Sequence, residues 1–174
     1  MDVMLLRSFQ RQVELQCAFI IKADEELKSA IEQRNVHNIF YSIQNLLNAG
    51  ANISKALWGQ KGRNHEQRKL LRESIGILDS SSLKEVSMRN NFEHIDERLD
   101  RWWSESKDHN YTDMNIGPKD MISGVDQFDM FRHYDPKTTD LTFWGESFNI
   151  NSIVSEVKLI FPKVRCEANK PHWK

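Results

Sequence analysis

Arg89, Asn90, Glu93 and His94 are the reactive side chains of this sequence that coincide with a clear helical pattern. RNA cleavage without a metal needs a base for the 2′-hydroxyl, an acid for the leaving oxygen and a cation for the phosphate. Histidine titrates near neutral pH and can serve as base or acid. Arginine binds phosphate through parallel donors. The group therefore fits phosphodiester chemistry, with Asn90 orienting either the phosphate or Arg89.

The segment from Met88 to Trp103 predicts a single amphipathic helix that carries these residues. Its apolar positions recur at gaps of four and three and form one stripe: Met88, Phe92, Ile95, Leu99 and Trp102. On a straight helix Arg89 and His94 fall on either side of this stripe, about 140° apart. Asn90, Glu93 and Glu97 lie between them. This polar face must therefore meet solvent, another subunit or a substrate.

The spacing Arg89-Asn90-x-x-x-His94 resembles the R-x4-6-H motif of the HEPN superfamily, in which a polar residue often follows the arginine. HEPN proteins are helical bundles, and many are metal-independent endoribonucleases of toxin–antitoxin and phage-defence systems. The resemblance implies a homodimer whose two motifs line one cleft, because one Arg and one His supply too few groups for the whole reaction. It also implies an RNA substrate, an antitoxin protein as partner, no cofactor, and products with a 2′,3′-cyclic phosphate and a 5′-hydroxyl.

A simpler interpretation of the same residues is a solvated helix face. Arg89, Glu93 and Glu97 follow one another at i,i+4, and such ion pairs stabilise a helix by about 0.2–0.5 kcal/mol each. His94 would then be an ordinary surface histidine. In a catalytic site Glu93 would either compete with phosphate for Arg89 or hold it in place, and both remain open. The alternative function is a non-catalytic helical module that binds a protein or a nucleotide.

Two further groups of charged residues are candidates for binding. Arg68, Lys69 and Arg72 lie on the predicted outer side of a helix and are candidates for contact with an RNA backbone, although such runs are usually solvated. A carboxylate cluster alternates with Arg98 and Arg101, which favours a charge-balanced surface; it comprises Glu93, Asp96, Glu97 and Asp100. The chain has no Glu-x-x-His pair, so no metal site is predicted.

The elements that would position these residues are mainly helical. We predict an antiparallel bundle of four to five helices with a small β-hairpin near the C-terminus. Four helices are predicted in the first part of the chain: one from Asp2 to Arg34, one from Asn35 to Trp58, one capped by Asn64, and one begun by Ser82 and Glu85. A loop over Lys107–Asp129 follows them. A hairpin of Phe131–Tyr134 and Leu141–Trp144 comes next, and a last helix runs from Asn151 or Ser152 to Pro162. One HEPN-like domain (1–174) is expected: a bundle (1–106), a loop and hairpin elaboration (107–150) and a terminal helix with tail (151–174).

Composition limits the class of protein. The 174 residues are 39 % hydrophobic and 28 % charged, which is typical of a soluble globular domain. The formal charge of -1 means that phosphate binding must come from a local patch. Cys17 and Cys166 form no metal-ligand spacing or disulfide framework, and Cys17 lies on an apolar face that argues against a reactive thiol. The longest apolar runs are too short for a bilayer, so a cytoplasmic protein with no membrane partner is expected.

Overall fold

The two long N-terminal helices agree with the sequence prediction. In the computed structural model, which describes residues 1–173, α1 (Val3–Glu32) is capped by Asp2, whose carboxylate accepts hydrogen bonds from the N–H groups of Met4 and Leu5. α2 (Val36–Trp58) is capped by Asn35. Side-chain caps satisfy helix N–H groups that lack intrahelical partners, so local chemistry and apolar periodicity agree at these boundaries.

Four shorter helices and a four-stranded sheet complete the described chain. The helices are α3 (Lys69–Ile75), α4 (Ser87–Glu93), α5 (Ile95–Glu105) and α6 (Ile150–Ala168). The strands are β1 (Asn115–Ile116), β2 (His133–Asp135), β3 (Asp140–Phe143) and β4 (Glu146–Asn149). The prediction of a mainly helical protein with a small sheet near its C-terminus is confirmed. No helix among residues 1–173 is long and apolar enough to cross a membrane.

The core lies between α1, α2 and α6, and it continues into the sheet. α1 packs along both α2 and α6. α6 contacts the middle of α2 through Ile153, since a Cβ atom added at Gly50 would lie 3.4 Å from Cδ1 of Ile153, an ordinary van der Waals distance. Phe131 and Phe143 extend the core from the sheet, with ring centroids 5.2 Å apart.

The predicted hairpin is confirmed, and the sheet is larger than the sequence indicated. β2 and β3 pair antiparallel with Tyr134 opposite Leu141, and β4 pairs antiparallel with β3. β1 adds a parallel edge next to β2. β4 escaped prediction because its residues are mostly exposed and lack alternating apolar positions. β1 has only two residues, so its pairing depends on tertiary contacts alone.

Two carboxylates fasten the long loop that contains β1. Asp129 is buried and accepts hydrogen bonds from Trp102 Nε1 at 2.8 Å and Ser106 Oγ at 2.5 Å, which ties the loop to the end of α5. Asp113 accepts a hydrogen bond from Arg132 Nε at 2.8 Å. Burial by itself would raise the pKa of Asp113, but the hydrogen bonds and charge of Arg132 outweigh it and keep that pKa below its usual range. The loop is therefore ordered by buried polar contacts.

The single helix predicted from Met88 to Trp103 is wrong, because the chain breaks at His94. The backbone of His94 has φ −103° and ψ 42°, which ends α4 and begins α5. The two halves pack against different partners: α4 buries Met88 and Phe92 and contacts α2, whereas Trp102 on α5 packs edge-on against Phe131 of the sheet region. The break at His94 lies between these two contacts.

Three other predicted boundaries are also wrong. Asn64 does not cap a helix, because residues 60–68 form turns and α3 begins at Lys69. Ser82 lies in a short 3₁₀ turn capped by Ser81, and α4 begins only at Ser87. Pro162 lies inside α6 rather than at its end. Because apolar residues beyond Pro162, such as Val164, remain buried, packing outweighs the lost hydrogen bond of proline.

The contact at Gly50 predicts a size-dependent effect on stability. Gly50→Ala should leave the free energy of unfolding unchanged or raise it by up to about 1 kcal/mol, because a methyl group meets Ile153 at an ordinary distance and alanine favours helix. Gly50→Leu should lower it by about 1–3 kcal/mol through overpacking. Urea denaturation of both variants measures the difference, and equal stabilities would contradict the close approach of α6.

Candidate functional site

A cavity of about 770 Å³ lies where the end of α2, the turn that follows it, and the α4–α5 junction meet. All four candidate catalytic residues line this cavity: Arg89, Asn90, Glu93 and His94. The volume falls in the range of small-ligand pockets. The cavity is therefore the candidate functional site.

The helix break explains why Arg89 and His94 reach the same cavity. On a straight helix the two residues would lie about 140° apart. Because His94 leaves helical geometry, the chain turns at this residue and both side chains border one space. A single chain therefore brings Arg89 and His94 to one cavity.

Glu93 is the partner of Arg89 in this cavity. Arg89 Nη2 donates a hydrogen bond to Glu93 Oε1 at 2.5 Å, and its other terminal nitrogen forms an ion pair with the same carboxylate. Arg89 Nη1 also lies 3.4 Å from the Oδ1 atom of Asn90. The buried Nε atom of Arg89 has no hydrogen-bond partner within residues 1–173. Glu93 therefore orients the guanidinium but also occupies donors that a phosphate would need.

His94 lies at the exposed edge of the cavity between two carboxylates. Its Nδ1 atom is 3.4 Å from Glu97 Oε1, and its Nε2 atom is 3.8 Å from Glu93 Oε2. The side chain is 46 % exposed. The imidazole is therefore accessible to a ligand or to another chain, and a nearby carboxylate can orient its ring.

Four further cations line the cavity, and sequence reasoning missed them as site residues. They come from α2, from the turn after it, from the segment before α4 and from α5: Lys55, Lys61, Lys84 and Arg98. Arg98 Nε donates a hydrogen bond to Asn91 Oδ1 at 3.0 Å. Glu93 is the carboxylate in the cavity lining. Positive charge therefore exceeds negative charge here, and the cavity favours an anionic ligand.

Arg72, a candidate for RNA contact, is a structural residue. Its side chain is 4 % exposed, and Nη1 donates hydrogen bonds to the carbonyl oxygens of Leu57 at 2.9 Å and His65 at 2.7 Å. Its Nε lies 3.1 Å from Asp79 Oδ1. Hydrogen bonds from Trp58 and His65, together with the charge of Arg72, lower the pKa of Asp79. The prediction that Arg72 faces outward is wrong, because it fastens the turn region to α2.

Arg68 and Lys69 do not line the cavity either. The guanidinium of Arg68 lies 3.6 Å from the ring centroid of Phe9, and burial lowers the pKa of this arginine. Lys69 is exposed, with Nζ 4.0 Å from Glu73 Oε1. These residues therefore form no common binding surface with Arg72, and a role of Arg68 and Lys69 in RNA contact stays a prediction.

Three further sequence predictions concern Cys17, Trp102 and a metal site. Cys17 is buried on the apolar side of α1, as its position predicted, and burial raises the pKa of its thiol to about 12. Trp102 is buried, as its position in the stripe predicted, whereas Trp103 is exposed and packs on His109. No cluster of three metal-ligating side chains occurs in the part of the chain that the structure describes.

Comparisons with protein-family models, curated proteins and solved structures found no match for this chain. Fold and site together define a mainly helical protein with a ligand-sized, positively charged cavity. The functional conclusion therefore depends on the geometry and charge of that cavity.

The environment of Arg72 predicts a loss of stability that a neighbouring residue does not share. Arg72→Leu should lower the free energy of unfolding by about 2 kcal/mol, because two backbone carbonyl groups lose their donor. Lys69→Leu on the exposed side of the same helix should change it by less than about 0.5 kcal/mol. Chemical denaturation compares the two. A stable Arg72→Leu variant that binds RNA less tightly would contradict the structural role.

Proposed function

We propose that this protein is a metal-independent endoribonuclease of the HEPN type, acting as a cytoplasmic toxin or phage-defence protein whose helices form an antiparallel bundle. The observation that carries the proposal is the convergence of Arg89, Asn90, Glu93 and His94 on one cavity with excess positive charge. This charge favours an anion, and the phosphate of an RNA strand is the anion that we propose. The polar residue after the arginine and the spacing to the histidine add the HEPN resemblance.

In the proposed reaction the 2′-oxygen of a ribose attacks the adjacent phosphorus and the bond to the 5′-oxygen breaks. The products are a 2′,3′-cyclic phosphate and a 5′-hydroxyl. His94 takes the proton of the 2′-hydroxyl, and Arg89 stabilises the negative charge that develops on the phosphate. Glu93 holds Arg89 before the substrate binds, and Asn90 helps to orient the guanidinium.

A second copy of the chain completes the proposed site. One imidazole can act as the base, but the leaving 5′-oxygen also needs an acid. His94 is exposed at the cavity edge, so the same histidine of a second copy can approach the same phosphate in a symmetric dimer. An antitoxin protein would act by covering this edge.

A second candidate function is a non-catalytic module that binds a nucleotide or another protein. It is favoured by the closed ion pair between Arg89 and Glu93, which satisfies the guanidinium without a substrate. In this case the cavity binds an anion, and His94 is a surface residue with no part in proton transfer.

Cleavage assays with matched variants distinguish the two functions. Arg89→Ala and His94→Ala should each reduce kcat/KM for single-stranded RNA by about 10²–10⁴-fold, with the melting temperature nearly unchanged. The controls Arg101→Ala and His37→Ala alter exposed residues that do not line the cavity, and should retain wild-type activity. A pure wild-type protein that cleaves no RNA, with variants that behave identically, would favour the binding module.

Glu93 offers a separate test of phosphate binding at Arg89. Glu93→Gln removes the negative charge of the cavity lining while keeping an acceptor for Arg89, so affinity for a non-cleavable oligonucleotide should rise about fivefold. Glu105→Gln is the control, because Glu105 is exposed, pairs with Arg101 and does not line the cavity. Fluorescence anisotropy measures both affinities. Equal affinities of the Glu93→Gln variant and wild type would indicate that phosphate does not contact Arg89.

A further inference from the structure

We infer that the cavity contains a second phosphate position, formed by Lys55, Lys61 and Lys84, and that its ligand is therefore a single-stranded nucleic acid rather than an isolated phosphate. The nature of this ligand rests on the proposed function. The position itself rests on the geometry of the three lysines.

The three lysines reach the cavity from three separate elements. Lys55 lies in the last turn of α2, Lys61 lies in the 3₁₀ turn Gln60–Gly62, and Lys84 ends the 3₁₀ turn Ser82–Lys84. The negative end of the α2 dipole accounts for a lysine at position 55. It does not account for the other two, which lie outside that helix. Their convergence is therefore a tertiary feature and not a charged stripe along one helix.

None of the three ammonium groups has an anionic partner among residues 1–173. Several lysines elsewhere in the protein do pair: Lys28 and Lys158 both contact the Asp24 carboxylate, at 2.8 and 2.7 Å. In the cavity the carboxylate of Glu93 is already occupied by Arg89. A bound anion would therefore supply the negative charge that these three lysines lack, without displacing an internal ion pair.

The turn that carries Lys61 is held in an unusual backbone conformation. Lys61 has φ 55°, between Gly59 with φ 79° and Gly62 with φ 72°. A Cβ atom at Gly59 would lie 2.5 Å from Asn64 Oδ1, so the turn fits glycine at this position. Left-handed backbone at a non-glycine residue is unfavourable and persists where the surrounding structure fixes it. The turn thus holds Lys61 at the cavity.

Lys84 is positioned by the aromatic ring beside it. Its ammonium nitrogen lies 6.0 Å from the ring centroid of Trp58, at the limit of a cation–π contact. Trp58 itself is 1 % exposed, and its Nε1 atom donates a hydrogen bond to Asp79 Oδ1 at 3.2 Å. The ring is therefore fixed and too buried to stack on a base, and Lys84 lies beside it at the cavity.

The arginine–histidine pair and the three lysines have different roles toward one bound RNA strand. Arg89 and His94 carry the groups that a reacting phosphate needs, whereas lysines act as point charges suited to a neighbouring, non-reacting phosphate. A cavity of about 770 Å³ is of a size that fits a short section of one strand. Two phosphate positions in one cavity therefore match consecutive phosphates of a single strand, and the duplex is the comparison that tests this.

The test uses the full chain and a fluorescein-labelled single strand of 2′-O-methyl RNA of about six nucleotides, which the 2′-hydroxyl reaction cannot cleave. Replacing Lys55, Lys61 and Lys84 together by Gln should weaken binding about tenfold or more. It should also reduce the slope of log affinity against log salt by about 0.7 for each lost contact. The matched control replaces Lys119, Lys137 and Lys163, which are exposed and outside the cavity, and should bind like wild type.

The outcomes separate this inference from the proposed catalysis. Lysine-dependent binding by a protein that cleaves no RNA supports the inference and removes the ribonuclease function. Equal affinity and equal salt slope in wild type and triple variant overturn the inference, even if RNA cleavage depends on His94. Lysine-dependent binding of a duplex as tight as that of the single strand also overturns it. Circular dichroism of the triple variant shows whether it is folded. The single variant Lys61→Gln, measured in the same binding assay, separates lost contacts from lost folding.

Discussion

The enclosure of α2 is the constraint on which the rest of the structure depends. α2 is contacted by α1, α3 and α4, and Gly50 brings its middle against Ile153 of α6. Burial on several sides fixes the position of its last turn, where Trp58 and Lys55 reach the cavity. The hydrophobic packing that stabilises the protein thus also sets one wall of the candidate site, since a shift of α2 would move the core and the cavity together.

The break at His94 links core packing to the chemistry of the site. α4 packs on α2, and α5 turns toward the sheet to bury Trp102 against Phe131. These two packing contacts together favour a change of helix direction between α4 and α5. The residue at the change is the histidine, and the new direction brings it into the cavity that Arg89 already borders. The geometry of the site is thus linked to the packing of α4 on α2 and of α5 on the sheet region.

Charge in the cavity is unevenly compensated. Arg89 is matched by Glu93, whereas Lys55, Lys61 and Lys84 have no carboxylate partner in the described residues. The exposed lysines keep contact with water, so their charge does not require burial. An anion can therefore bind these lysines at a low desolvation cost. Arg72 differs, because its buried guanidinium donates hydrogen bonds to backbone carbonyl groups.

The sequence by itself determined the elements whose signals are local. The sequence predicted the long helices that begin at Asp2 and Asn35, and it predicted the hairpin. Caps, apolar periodicity and turns each depend on neighbouring residues. The spacing of Arg89 and His94 identified candidate chemistry, but the single-helix geometry around them was wrong. The tertiary structure alone decided the break at His94, the burial of Arg72 and the convergence of the lysines. These depend on which surfaces meet in space, and contacts between distant segments leave no periodic trace in the chain.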